Sequence, residues 1–276
     1  MQPASRAALA AARDKLEGRI GGADLTDLNR LGEDLGAVAG VLDEQPVIRR
    51  HLADSAVPQQ ARRKLIEALF AGKVSPLSLE VLADVVASRW SQPRDLVDGV
   101  EELARQALLM LAERDGSLDD VEDELFRFGR ILVAQPQLAT LLGDETAPAT
   151  RRGELLETVL AGRTRPVTSR LLEQVVRSPR RRPLAEIVEQ LVDRAAARRQ
   201  RSVAYVTAAS PLSGEQEQRL TDALKAIYQR PMSLKIEVDL AVLGGLVIRV
   251  GDEVIDGSVA TRLDQARQWM TGGMSR

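Results

Sequence analysis

A chain of 276 residues, 44% of them apolar, can bury a sizeable core, and its 38 basic against 40 acidic side chains leave a net charge of -2 that gives no global field for gathering nucleic acid or anionic lipid. The lack of cysteine excludes disulfide scaffolds, thiolate zinc sites, iron–sulfur ligation and a cysteine nucleophile. The N-terminal stretch places Arg6, Arg13, Asp14, Lys15 and Glu17 among its alanines, unlike a signal peptide, and no later window approaches ~18 uncharged apolar residues, so a soluble chain without direct membrane insertion is expected.

The first predicted element is a helix near 4–20, with Leu9, Ala12, Leu16 and Ile20 as one apolar stripe. Beyond it the chain repeats. Pro46, Pro58, Pro76 and Pro93 recur as Pro136, Pro148, Pro166 and Pro183, each pair separated by 90 positions. Around them VLDEQPVIRRHLADSAVPQQARRKLIEALFAGKVSP reads without a gap onto ILVAQPQLATLLGDETAPATRRGELLETVLAGRTRP. An internal duplication is the simplest account. Apolar residues such as Leu65, Ala68 and Leu69, matched by Leu155, Thr158 and Val159, fall at helical spacing, while proline and glycine mark breaks. Helices are expected near 25–43, 46–53, 58–71, 77–90 and 94–113, then near 117–133, 136–143, 148–161, 166–177 and 184–200. The segment VEELARQALLMLAERD is expected to close the first bundle and open the second.

After Arg201 the period changes from helical to alternating. Val203, Tyr205 and Thr207 alternate with Ala204 and Val206 as a strand, and Ser213 with Gln216 forms a capping box for a helix carrying Leu220, Leu224 and Ile227. Leu234, Ile236, Val238 and Leu240 mark a second strand and Leu246, Ile248 and Val250 a third, with Val254-Ile255 as a short strand after the turn at Gly251 and Asp252. Ser258 caps a final helix that buries Val259, Leu263, Ala266 and Met270. The fold class is therefore mainly α: two repeated helical bundles, 1–113 and 114–200, followed by a small α+β domain, 201–276.

Residues suited to chemistry are scarce. His51 is the sole histidine and its counterpart in the second copy is Leu141, which points to an ordinary surface position. Asp119, Asp120, Glu122, Asp123 and Glu124 open a helix, where the macrodipole favours negative charge. The arginines 177, 180, 181 and 182, then 194, 198 and 199, are the best case for phosphate or RNA contact, but with 3% aromatic residues there is little to stack bases on, and a solvated face meeting an acidic protein is preferred. The run GGLVIRVGDEVIDGS leads into no lysine-bearing helix start and is no phosphate cradle; Gly244 and Gly245 allow close backbone approach, and Gly251 and Gly257 supply turns, Gly257 with positive φ. No catalytic residue, metal or cofactor is expected.

The stretch LKIEVDLAVLGGLVIRVGDEVIDGSVATRLDQA resembles the C-terminal signature of the delta subunit of bacterial F-type ATP synthases, counterpart of the mitochondrial oligomycin-sensitivity-conferring protein. Its matching elements are Gly244, Gly245, Arg249, Gly251, Asp256, Gly257 and Ser258. Tyr205 to Ser213 resembles the family's preceding strand, and residues 1–113 resemble its N-terminal bundle. The second copy departs from the usual single bundle and resembles the longer actinobacterial form; Ala260 stands where the family often has a basic residue, leaving Arg262 as the nearest charge.

The resemblance implies a non-catalytic stator subunit, peripheral on the cytoplasmic face of the cell membrane, that couples proton transport to ATP synthesis. Its helical part would hold N-terminal helices of the alpha subunits and its C-terminal domain the b subunit of the peripheral stalk, with no nucleic acid bound. A bundle rich in alanine and leucine can offer a groove to an amphipathic helix, with Ala8, Ala11, Leu79, Leu82 and Val86 as candidate positions and Arg262 as a surface contact. A helical adaptor binding RNA or an acidic protein through the arginine face, and a hydrolase with an unrecognised site, are the competing readings.

Overall fold

Six of the described helices start on proline. Pro3, Pro46, Pro76, Pro93, Pro136 and Pro166 each stand in the first turn of a helix, where the missing N–H would have had no intrahelical acceptor. The computed structural model describes residues 1–179, 182–201, 203–228, 232–239, 242, 244–251 and 253–259. Its helices are α1 Pro3–Arg19, α2 Leu25–Glu44, α3 Pro46–Ala53, α4 Gln59–Phe70, α5 Pro76–Ala87, α6 Pro93–Arg114, α7 Leu118–Ala134, α8 Pro136–Gly143, α9 Ala149–Leu160, α10 Pro166–Arg177, α11 Leu184–Arg201 and α12 Gly214–Tyr228, with strands β1 Val203–Ala208, β2 Ser233–Val238, β3 Leu246–Val250 and β4 Glu253–Asp256. The helices α3, α4 and α5 return as α8, α9 and α10 with both ends displaced by 90 residues. The chain forms two compact units, Met1–Ala195 and Ala196–Arg276.

In the first unit a single hydrophobic core runs from Ala8 to Ala195. Its axis is α6, which packs on α1, α2, α3 and α5 from the first copy and on α7 and α10 from the second, as the sequence of that segment suggested. Of its 22 residues 17 are buried, which only a helix enclosed on nearly every side can show. Small residues let its neighbours close in. A Cβ on Gly32 of α2 would lie 2.7 Å from Leu108, and one on Gly99 of α6 would lie 2.4 Å from the ring of Trp90. That tryptophan ends α5 three residues before the expected position 90, turning back so that its Nε1 donates to the carbonyl of Val85 at 2.8 Å.

Along α4 and α9 the buried stripe is Arg62, Ile66 and Phe70, repeated as Arg152, Leu156 and Leu160. Ala68 and Thr158, at the helical spacing noted in the sequence, are exposed. A charged residue heads each stripe because its guanidinium serves helix ends: Arg62 donates to the carbonyls of Val57 and Ser88, and Arg152 to those of Val176 and Arg177. Cations there face the carbonyl end of α5 or α10, which the macrodipole favours.

The duplication reaches side-chain hydrogen bonds at the opposite ends of the same helices. Asp34 accepts from the amide of Ser75 at 2.7 Å and from the hydroxyl of Ser78 at 2.9 Å. At the same positions 90 residues on, Glu124 accepts from the amide of Arg165 at 2.9 Å and from the hydroxyl of Thr168 at 2.5 Å. Each carboxylate reaches from α2 or α7 to satisfy the free donors that begin α5 or α10. The acidic run after Leu118 thus opens α7 and also caps its neighbour, with Asp120 pairing with Arg165.

The second unit is a four-stranded sheet of order β2-β1-β3-β4. β1 and β2 are parallel, joined through α12, while β1/β3 and β3/β4 are antiparallel. Ser213 and Gln216 form the expected reciprocal cap on α12. Leu224 is buried and Leu220 packs beside it on Ala204, Val206, Ile248 and Val250; Tyr228 joins them, whereas Ile227 is 64% exposed, since the stripe advances by four residues rather than three. Val238, expected to face the core, is 45% exposed at the end of β2. Leu240 and the final helix beyond Val259, Arg262 included, lie outside the described residues.

The glycine signature forms one corner of the sheet. Gly244 and Gly245 have φ of +70° and +83°, and the chain there pairs with the segment after β4: Gly257 N–H donates to Leu246 at 2.9 Å and Val259 N–H to Gly244 at 3.0 Å. A Cβ on Gly245 would sit 2.4 Å from the Gly257 carbonyl oxygen, the close backbone approach that the sequence suggested. Gly257 itself is not in the left-handed region, contrary to expectation; its limit is steric, because a Cβ there would sit 3.2 Å from the carbonyl oxygen of Leu246. Gly251, at φ +58°, makes the turn between β3 and β4.

These contacts can be tested by substitution. Gly245→Val, which meets both strain and clash, should cost ~1–3 kcal/mol and Gly257→Val less, read as faster amide exchange in β1 and β3 of the full chain; equal exchange for Gly245→Val and parent would refute the corner. Asp34→Ala and Glu124→Ala should each lower stability by ~0.5–2 kcal/mol in urea titrations.

Candidate functional site

One face of the sheet brings together residues from the resemblance and from β1. On β1, Tyr205 stands opposite Lys235 of β2 and Arg249 of β3, and Arg249 stands opposite Val254 of β4. These side chains share the sheet face away from Ala204, Val206 and Ile248, so they form one row across all four strands. The Lys235 ammonium lies 5.6 Å and the Arg249 guanidinium 5.3 Å from the Tyr205 ring centroid, a cation–π arrangement on both sides. Tyr205 is 40% and Val254 59% exposed. In the sequence Arg249 belongs to the glycine signature; its partnership with Tyr205 is visible only through strand register. At the adjoining corner Asp256 accepts from the amide of Ser258 at 2.8 Å, holding the turn that Gly257 passes through.

In the helical unit, the candidate groove positions divide. Ala8, Leu82 and Val86 belong to the core, because α1 already lies on α5 and fills the space between them. Ala11 is exposed and Leu79 half-buried. Beside them the joint is charged: Arg19 donates to Asp84 at 2.8 Å and to Glu80 at 2.5 Å, and Lys15 and Arg63 also face Asp84.

The second copy exposes large apolar side chains that the sequence pattern did not single out. Phe126 and Val133 on α7 and Leu141 on α8 are 55%, 62% and 58% exposed. At the matching positions of the first copy stand Gly36, Asp43 and His51. Comparing the copies position by position outside the core stripe would have revealed this difference. His51 is exposed on α3, as expected.

The arginine run is no free basic stripe. Arg194 is bound to Glu102 at 2.8 Å and Arg182 donates to Gln190; Arg180 and Arg181 lie outside the described residues. Among the described residues no helix is long and apolar enough to cross a membrane.

Known proteins resemble the chain along its whole length. The "ATP synthase subunit delta" of Streptomyces griseus is 47% identical over 272 residues, covering 99% of this chain and all of its own. Proteins of the same description from Parafrankia and Salinispora tropica are 44% and 41% identical and cover 98% and 95% of this chain. A chain of the Toxoplasma gondii mitochondrial ATP synthase hexamer, at 22% identity and TM-score 0.29 over 60% of this chain and 94% of its own, superposes too loosely to bear on the fold. The family model "ATP synthase delta (OSCP) subunit" matches residues 104–270, which takes in the second copy and the sheet but leaves most of the first copy, likened above to the family's N-terminal bundle, outside the match. By family model and by relatives alike, the chain belongs to the ATP synthase delta (OSCP) subunit family, whose members are structural rather than catalytic subunits.

Proposed function

We propose that the chain is the stator subunit joining the catalytic head of an F-type ATP synthase to its peripheral stalk, at the cytoplasmic face of the cell membrane. In this reading the bundles 1–113 and 114–200 seat on the N-terminal helices of the alpha subunits, and 201–276 holds the b subunit. Family membership carries the assignment. A stator must resist torque, and the continuous core from α1 to α11 suits that: many packed helices deform together rather than one by one. The chain passes from one compact unit to the next within α11, not through a glycine-rich linker.

The second copy is our choice for the principal contact with an alpha-subunit helix. Phe126, Val133 and Leu141 are apolar and exposed, and an amphipathic helix would cover such a surface. The sheet row of Lys235, Tyr205 and Arg249 would meet the stalk, since an exposed aromatic ring with flanking cations fits a helix bearing carboxylates.

The deciding experiment adds purified chain to membranes depleted of it and follows proton uptake and phosphate release in the same vesicles. Intact chain should restore ATP-driven pumping, whereas the double variant Phe126→Asp and Val133→Asp should need at least ~10-fold more protein for the same effect, as expected for charges placed in a hydrophobic contact. Hydrolysis should persist throughout. Equal potency of variant and parent would reject the second-copy surface, and failure of the intact chain to restore pumping would reject the stator assignment itself.

A further inference from the structure

Between α1, α6 and α11 the first unit holds a cavity of about 730 Å³, within the range typical of ligand sites. Its walls are unusually rich in guanidinium groups. Arg13 comes from α1, Arg105 from α6, Arg194 from α11 and Arg182 from the connection before α11. Arginines gathered this way repel one another: burial, and then Arg105, Arg13 and Arg182, lower the pKa of Arg194 against the opposing pull of Glu102.

With Arg94, five arginines line the cavity against four carboxylates, Asp98, Glu101, Glu102 and Glu145. Glu102 is shared, accepting from Arg13 at 2.6 Å and lying 2.8 Å from Arg194. Arg105 is only 5% exposed and has Glu101 at 3.5 Å as its ion-pair partner. Its Nε has no hydrogen-bond partner, nor does Nη1 of Arg194. A buried guanidinium with unmatched donors is costly, and an oxyanion is the ligand whose geometry answers it.

Glu101 makes the charge balance depend on pH. Burial pushes its carboxyl up to about 7, with Arg105 and Arg182 and a hydrogen bond from Ser178 drawing it down and Asp43 of α2 adding to the rise. Asp98 and Arg94, on the same helix, and Glu145, before α9, also line the cavity. Protonation of Glu101 below that value removes a negative charge from beside Arg105.

We propose that this cavity is a binding site for an oxyanion of the phosphate–sulfate class, held by Arg13, Arg105 and Arg194. The site uses none of the side chains named above as stator contacts. Its volume exceeds that of one such ion, so the anion is either free or the head group of a larger organic molecule.

Sulfate is the probe of choice, because its charge is constant across the range where Glu101 titrates. Calorimetry on the full chain, with chloride at matched ionic strength as the reference, should show saturable binding in the millimolar range at about pH 6, weakening at least ~3-fold by about pH 8 as the ionised Glu101 returns. Arg194→Gln, at a position partly open to solvent, should keep the unit folded and weaken binding ~10-fold or more, as should Arg13→Gln, while Arg127→Gln on the outer side of α7 should leave it unchanged. Inorganic phosphate and phenyl phosphate then identify the source: tighter binding of the ester marks an organic phosphate, and equal binding a free ion. Lack of saturable binding at both pH values, or equal affinity in parent, Arg13→Gln and Arg194→Gln, overturns the proposal.

Discussion

The burial of α6 is the constraint on which the helical unit depends. A helix with Leu96, Val100, Leu103, Ala107 and Leu108 all fully buried exists in water only while neighbours surround it. Those neighbours come from both copies, so neither bundle completes its core without a helix encoded at their junction. Close approach follows from Gly32 and Gly99, which leave no room for a side chain between α2, α6 and Trp90. Two of the polar residues that α6 buries are held by partners: Asp95 accepts from Ser5 at 2.6 Å, and Glu102 is held by Arg13 and Arg194.

Much of this is legible in the primary structure because proline and glycine punctuate it. With Pro46/Pro136 and Pro76/Pro166 in register, the repeated helices have to recur with one spacing, and alternation after Val203 marks the change to strands. What the linear pattern hides are residues whose role depends on a distant partner. Arg62 and Arg152 read as surface charges until the carbonyls of Ser88 and Val176 are placed beside them. Asp34 and Glu124 look like ordinary helical acids, and only tertiary packing brings them to the start of α5 and α10. Leu82 and Val86 are candidates for an open groove by sequence, but an apolar residue at helical spacing does not reveal whether its cover comes from the same chain.

The sheet shows the same division. Its strands and the Ser213 cap follow from local pattern, and Gly245 is the point of backbone approach that its doublet with Gly244 suggests. Gly257 looks like a conformational requirement in the sequence, whereas its constraint is the neighbouring carbonyl of Leu246. Tyr205 gains its importance from register, since only the pairing of β1 with both β2 and β3 places Lys235 and Arg249 over its ring.

The contrast between Gly36, Asp43 and His51 and their counterparts Phe126, Val133 and Leu141 has an evolutionary meaning. In the two copies the parts that make the fold, including the helix caps and the buried arginines, are alike, while these outer positions differ. Substitutions on one surface can be tested by selection while the sister surface keeps the ancestral task. Because α6 is shared, however, the spare copy cannot be discarded afterwards without exposing the core of the other.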